Sequence, residues 1–331
     1  MTNTTPATTE DEGAEHLDIV VPALMNAMRV DRALSMLTSC PRSEASRLVE
    51  VGAVTIDGKV VTKASTPLST GAHLEAVLPP QTDGSVEAEP DVHVTVLYED
   101  ADLVVVDKPF TLVVHPGAGN TTGTLVAGLL ALYPELADLP KAGFGEVNRP
   151  GIVHRLDKGT SGLLAVARSP AAFTSVSEQL ATRQAQRRYV GVVEGHVESE
   201  RGIVDAPIGR SATSPTRMMV RPDGKSARTS YEVIERLEGP ARTVIGLSLE
   251  TGRTHQIRVH MAAIGHPVVN DPRYGQRNET LLDADRLALH AGRLRLEHPV
   301  TGDEVSVLSA WPDDLRILGG GDAAQRWLEN S

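Results

Sequence analysis

What most limits the fold of this chain is an interruption. Residues 79–91 collect proline, glycine, serine and acids with no apolar period, so they present neither a helical stripe nor an alternating strand face to a core. A linker there divides the 331 residues into a small patterned part, 20–78, and a large one, 92–318, which suits two domains better than one continuous core. The flanks read as tails. Residues 1–19 are polar and acidic without apolar periodicity, a composition that favours disorder, and 319–331 reads as a C-terminal tail.

In the small part, Val30, Ala33, Leu34 and Leu37 share one helical face. A second short helix runs from Ser43 through Ala45, Leu48 and Val49 and stops at Gly52, a glycine placed as a C-terminal cap. Val54 to Ile56, Asp57-Gly58 and Lys59 to Val61 read as strand, type I′ turn and strand, with a further strand at 73–78. In the large part, alternation begins at Val92, turns at 99–102, resumes over 103–106 and ends at Asp107-Lys108-Pro109. Helices are expected at 124–133, at 170–184 behind a Ser169 cap, and at 254–264; strands are expected at 188–194, 229–236 and 243–250. Hairpin-like strands with isolated helices, lacking a βαβ rhythm, indicate an α+β fold on a largely antiparallel sheet.

The formal net charge of −11 argues against indiscriminate nucleic-acid binding, whose affinity comes chiefly from phosphate neutralisation. Its distribution is uneven. Acids gather at the N-terminal end and in 83–102, whereas Arg183, Arg187 and Arg188, then Arg210, Arg217, Arg221, Lys225 and Arg228, gather with only Asp223 opposing the second group. Such asymmetry permits a basic groove on an acidic body, against the plainer reading of solvated surface charge. The single cysteine, Cys40, excludes an internal disulfide and fits a reducing compartment. The N-terminus lacks the basic stretch and apolar run of an export signal, and no apolar run approaches the roughly 20 residues that span a bilayer. A cytoplasmic protein without membrane association is expected.

The chemistry concentrates in one string, His154-Arg155-Leu156-Asp157-Lys158-Gly159-Thr160-Ser161-Gly162, which runs into the apolar segment Leu163 to Ala167. It sets two cations and a histidine beside one carboxylate, and nearby positive charge favours the ionised form, which suits a nucleophile or base. For an isolated Asp near Arg, a structural ion pair at a turn is the commoner outcome. Metal binding lacks support, because there is no His-Glu-x-x-His or cysteine pair, and His255 and His260 are spaced off one helical face. The glycines at 117, 119 and 123 lack the spacing and the Gly-Lys-Ser/Thr ending of a phosphate loop, and Ser161 lacks the Gly-x-Ser-x-Gly setting of a hydrolase nucleophile.

As a whole, His-Arg-Leu-Asp followed by Thr-Ser-Gly resembles the active-site segment of RNA pseudouridine synthases, in the family that modifies ribosomal and transfer RNA (RluA/RluD type). The resemblance implies a catalytic domain on a largely antiparallel mixed sheet with a central cleft, Asp157 as the essential carboxylate, and conversion of uridine to its C5-linked isomer without cofactor or metal. Whether that carboxylate attacks the sugar or removes a sugar proton is open. It further implies Tyr189, in Arg188-Tyr189-Val190, against the target base, and Arg258, in Thr251 to His260, paired with Asp157. Arg155 would fill the space of an unstacked uridine, with His154 beside it on the RNA. Asp271-Pro272-Arg273-Tyr274-Gly275, Leu289-His290-Ala291 and His298-Pro299 complete the likeness, and Gly159 departs from it at an often acidic position. The small part, with Arg29, Arg32, Arg42 and Arg47 on two short helices before a hairpin, resembles an S4 RNA-binding domain, which implies RNA contacts from Arg29, Arg32 and Arg47. The expected partner is RNA, large-subunit ribosomal RNA first, bound by a monomer. The alternatives are a synthase acting on transfer RNA and a catalytically inert RNA-binding assembly factor.

Overall fold

The computed structural model describes residues 15–330 apart from 39, 41, 79–83, 118, 215 and 276–285. It comprises two units, one up to Gly84 and one from Ser85 onward. The first contains β1 (Glu15–Val20), α1 (Val30–Thr38), α2 (Arg42–Glu50), β2 (Val54–Ile56), β3 (Lys59–Val60) and β4 (His73–Leu78). Its strands form one antiparallel sheet in the order β1-β4-β2-β3. Leu34 and Val49 from the helices and Val54 and Leu74 from the sheet are fully buried, each such side chain contributing about 1.5–3 kcal/mol relative to exposure. The β2–β3 turn has positive φ at both Asp57 and Gly58, as a type I′ turn demands.

The second unit contains β5 (Thr95–Glu99), β6 (Leu103–Lys108), α3 (Leu125–Leu132), α4 (Asp138–Lys141), β7 (Ser161–Ala167), α5 (Pro170–Ala181), β8 (Gln186–Glu194), β9 (Arg201–Asp205), β10 (Ile208–Arg210), β11 (Met218–Val220), β12 (Arg228–Leu237), β13 (Arg242–Leu249), α6 (Gln256–Ala263), β14 (Leu289–Glu297), β15 (Glu304–Leu308), α7 (Asp313–Arg316) and α8 (Gly321–Asn330). A large sheet runs β5-β6-β7-β14-β8-β13-β12-β9, with β15 also on β14. Every pairing in it is antiparallel except β7 with β14, so the expected largely antiparallel mixed sheet is observed. Strand β7 is buried along its whole length because both faces are covered: Leu164 and Val166 enter one apolar cluster, Leu163 and Ala165 another. That is why its sequence is continuously apolar rather than alternating.

Three boundaries differ from the sequence reading. Strand β1 begins at Glu15, inside the segment read as an N-terminal tail, and Leu17 and Ile19 pack against the small core. Within 79–91, Glu89 donates its N–H to Ala127 O at 2.9 Å and its carboxylate accepts Gly123 N–H at 3.0 Å; Val86 joins the large core, so this end of the linker belongs to the second unit. Helix α8 occupies the segment read as a C-terminal tail and buries Ala324 and Leu328. In each case a short apolar pattern packs onto a core although polar residues surround it in the sequence. Among the described residues, no helix is long and apolar enough to cross a membrane.

Candidate active site

Asp157 sits in a turn whose shape the sequence dictates. Thr160 N–H reaches Asp157 O at 3.2 Å, and the third residue of the turn, Gly159, has φ +92°, a region that side chains rarely adopt. The departure noted at Gly159 thus fits this backbone. Downstream, Gly162 has φ +110°, and a methyl group built on it would lie 2.2 Å from Ala291 O. Only glycine lets β7 run this close to β14, and that contact anchors the turn against the sheet.

Arg258 reaches the same carboxylate from α6. Its Nη1 donates to Asp157 Oδ2 at 3.2 Å, while Nε and Nη2 donate to Asp271 at 2.7 and 2.9 Å. Arg258 is 6% exposed on its side chain and Asp271 not at all. Burial opposes ionisation of Asp271, but the Arg258 guanidinium and the N–H groups of Arg273 and Tyr274 outweigh it and hold the carboxyl below the usual range. For Arg258 burial likewise works against the charge, and Asp271 with Asp157 overcomes it. The Tyr274 ring lies 5.2 Å from the guanidinium carbon, and its hydroxyl is hydrogen-bonded to His255 Nδ1 at 2.8 Å while accepting Met218 N–H. Gln256 ties the start of α6 to β12, donating to Arg228 O and Thr229 Oγ1 and accepting from Thr251 and Arg253.

Asp157, His255, Gln256 and Arg258 line a cleft of about 340 Å³ that also takes in His154, Arg155, Arg187, Tyr189 and Arg253, within the usual range for sites that bury a small molecule. Tyr189, on β8, is 5% exposed; burial raises its hydroxyl pKa, with the Asp157 charge adding to the effect and Arg187 opposing it. The structure therefore brings Asp157, Tyr189 and Arg258 together as expected. It does not gather the neighbouring cations on Asp157: Lys158 is exposed and donates to Asn120 at 3.3 Å, and Arg155 is exposed with Nη1 3.2 Å from His115 Nε2.

His154, expected on the RNA beside Arg155, lines the cleft as a neutral ring. Its Nε2 accepts the N–H of Ala165 at 2.9 Å, and burial, then the nearby Arg187, pushes its pKa down to about 3, so the ring is neutral. Lys108 escaped the sequence reading as a site residue. It is fully buried, donates to Pro109 O and Leu112 O at 2.9 and 2.8 Å, and burial lowers its pKa to about 7 against the opposing pull of Asp157. Asp271 was visible only as part of a landmark string. Nothing local in the sequence marks either residue as a neighbour of Asp157.

On the first unit, two of the three arginines expected on RNA are already engaged. Arg29 donates to both oxygens of the buried Asp31 at 3.0 and 2.8 Å, and with help from Arg42 holds that carboxyl at a pKa of about 2 despite its burial. Arg47 bonds Glu44 at 2.8 Å. Arg32 is exposed and has no carboxylate partner among the described residues.

Comparison with known proteins agrees with this geometry. The family described as RNA pseudouridylate synthase matches residues 102–263, and the S4 domain matches residues 28–74. The chain is 41% identical to an uncharacterized RNA pseudouridine synthase, YlyB, of Bacillus subtilis, over 91% of this chain and 96% of the relative. It is also 41% identical to the ribosomal large subunit pseudouridine synthase D of Nitrosomonas europaea, over 93% and 88% of the two chains. Among solved structures, human RNA pseudouridylate synthase domain containing 1 superimposes with a TM-score of 0.52 at 29% identity, covering 69% of this chain and 86% of that one. With the cleft, the sheet and relatives matching along nearly its whole length, the chain belongs to the RNA pseudouridine synthase family, with an S4 domain ahead of the synthase domain.

Proposed function

We propose that the protein isomerises uridine to pseudouridine in large-subunit ribosomal RNA, and that Asp157 is the carboxylate acting on the ribose. The observation that carries this reading is the Asp157–Arg258–Asp271 arrangement: a half-buried carboxylate in a cleft, bonded to a guanidinium that a second carboxylate grips through two hydrogen bonds. Pre-organised charge of this kind holds a reactive carboxylate in a fixed orientation. Tyr189, buried on the cleft wall, offers a neutral aromatic face and hydroxyl to the base. Arg155, exposed at the same cleft, suits the space vacated when a uridine is unstacked. The relatives named ribosomal large subunit pseudouridine synthase D support the choice of RNA, and in the S4 unit Arg32 is the arginine best placed to meet phosphate.

The test is tritium release from an unmodified large-subunit ribosomal RNA transcript carrying [5-³H]uridine. Asp157→Asn is expected to lower the rate by more than about 10³-fold, the scale set by losing a group that nothing else replaces, while RNA affinity is retained. A wild-type rate in that variant would end the Asp157 assignment. Mapping pseudouridines in ribosomal RNA from cells with and without the gene then names the target; unchanged ribosomal RNA with a missing pseudouridine in transfer RNA would redirect the reading.

A further inference from the structure

The cleft holds a second guanidinium whose charge is unanswered. Arg187 lies two residues before Tyr189 on β8, so the two side chains leave the same face of the strand. It is 8% exposed, yet among the described residues its side chain has no carboxylate within ion-pair distance and makes no hydrogen bond; its Nε is buried without a partner, and its terminal nitrogens are left to the cleft it lines. Burying a guanidinium uncompensated is costly, and in a binding cleft the missing partner is expected from the ligand. Beside it, His154 accepts a backbone N–H at Nε2. A neutral ring must then carry its proton on Nδ1, and that nitrogen too is buried with no acceptor. Two donors, one of them cationic, therefore wait in one cleft for an acceptor of negative charge.

Two parts of a uridine nucleotide could answer them. The phosphates belong to a continuous backbone that stays near solvent, and the exposed Arg253 of the same cleft suits them. The buried position of Arg187 beside Tyr189 suits the part that enters alone, the base. We propose that Arg187, with His154 Nδ1–H, stabilises the negative charge that the uracil carries once its glycosidic bond is broken; the inference rests on the reading of Asp157 given above. When the N1–C1′ bond breaks, its electron pair stays with the base and is shared over N1, O2 and O4, while Asp157 either bonds C1′ or takes the sugar proton. When C5 bonds C1′, either the Asp157–C1′ bond breaks or Asp157 gives the sugar back its proton, so the negative charge returns from the base to the carboxylate; C5 then loses its proton and N1 gains one, leaving an isomer with no net proton change. Donors aimed at charge that appears only during reaction accelerate the chemical step rather than binding.

The experiment compares Arg187→Met and Arg187→Lys in single turnover on the tritiated transcript, with affinity for the same RNA measured separately. Arg187→Met is expected to lower the saturating rate by about 10²–10³-fold, the loss typical of one such donor, with affinity changed less than about twofold and part of the rate restored by Lys. On a transcript made with 5-fluorouridine, whose base leaves as a weaker base, the Met variant's deficit should shrink, read by mass spectrometry as consumption of 5-fluorouridine. Lost affinity with an unchanged saturating rate would make Arg187 a phosphate contact, and an equal deficit on both RNAs would make its role structural; either overturns the proposal. Gly252→Ala guards against a misfolded Met variant, because a methyl there would lie 2.8 Å from Arg187 Nη1 and displace the charge without removing it; a loss of rate at unchanged affinity is expected again. Asp157→Asn runs alongside. If it is inactive while Arg187→Met reacts at the wild-type rate, only the Arg187 inference fails; if Asp157→Asn keeps the wild-type rate, both readings fall.

Discussion

At the Asp157 carboxylate the decisive neighbour is Arg258, 101 positions along the chain, and what holds Arg258 is Asp271. The strings around Asp157, Tyr189 and Arg258 were legible because each is a contiguous run of distinctive residue types. Asp271, Lys108 and the isolation of Arg187 were not, since each depends on which side chains meet across the sheet. Removing one member of a buried ion pair strands the other, at a cost of roughly 3–5 kcal/mol. Asp271→Ala is therefore expected to lose stability on that scale in urea unfolding and to release tritium far more slowly than it loses RNA affinity. Asp271→Asn, which keeps an oxygen for the N–H groups of Arg273 and Tyr274, should fall between the two. If Asp271→Ala matched the parent in both assays, Asp157 alone would suffice to place Arg258.

Among the elements, β7 matters most, because it carries the Asp157 turn into the centre of the sheet. Its apolar run announced a strand, and the sequence reading placed it directly after the motif. Its parallel contact with β14, at Ser161 with His290 and Gly162 with Ala291, was invisible, as strand order is set by which faces remain to be covered once the hairpins have formed. Gly162→Ala would drive a methyl into the Ala291 carbonyl at a backbone angle unfavourable to side chains. The expected loss exceeds about 2 kcal/mol in urea unfolding, whereas Gly58→Ala, with open space around the added methyl, should cost less. Equal costs would mean that the two strands can separate freely. Helix α8 departs from the expected C-terminal tail: Ala324, Trp327 and Leu328 fall on one helical face, and burial of Ala324 and Leu328 outweighs the polar residues around them. Its Leu328 packs where Gly292 leaves room.

For the whole molecule, the consequence of burial is sensitivity to acid. His290 accepts the Ser161 hydroxyl at Nδ1, and Arg286 donates to that same hydroxyl oxygen; burial first, and Arg286 in addition, lower the His290 pKa to about 4 despite the Ser309 carbonyl. His154 lies at about 3. Both start from 6.5 when exposed, so between that value and the lowered one the unfolded chain binds protons that the folded chain refuses. Stability is then greatest above pH 6.5 and falls as pH drops toward 4, by at most about 1.4 kcal/mol per unit for each ring. Urea midpoints from pH 7 to 5 should show this limb, and His290→Gln should flatten it relative to the parent; an unchanged slope would exclude His290 as a source. The sequence by itself determined the two-part division, the α+β class, the turn that presents Asp157 and the family to which the chain belongs, because these depend on local backbone preference and on contiguous motifs. Only the tertiary structure decided which cations answer which carboxylates, that His154 is neutral, and that the Arg187 guanidinium meets no carboxylate among the described residues. Charge balance in a cleft is a sum over distances between residues far apart in the chain, and that sum exists only after the strands have paired.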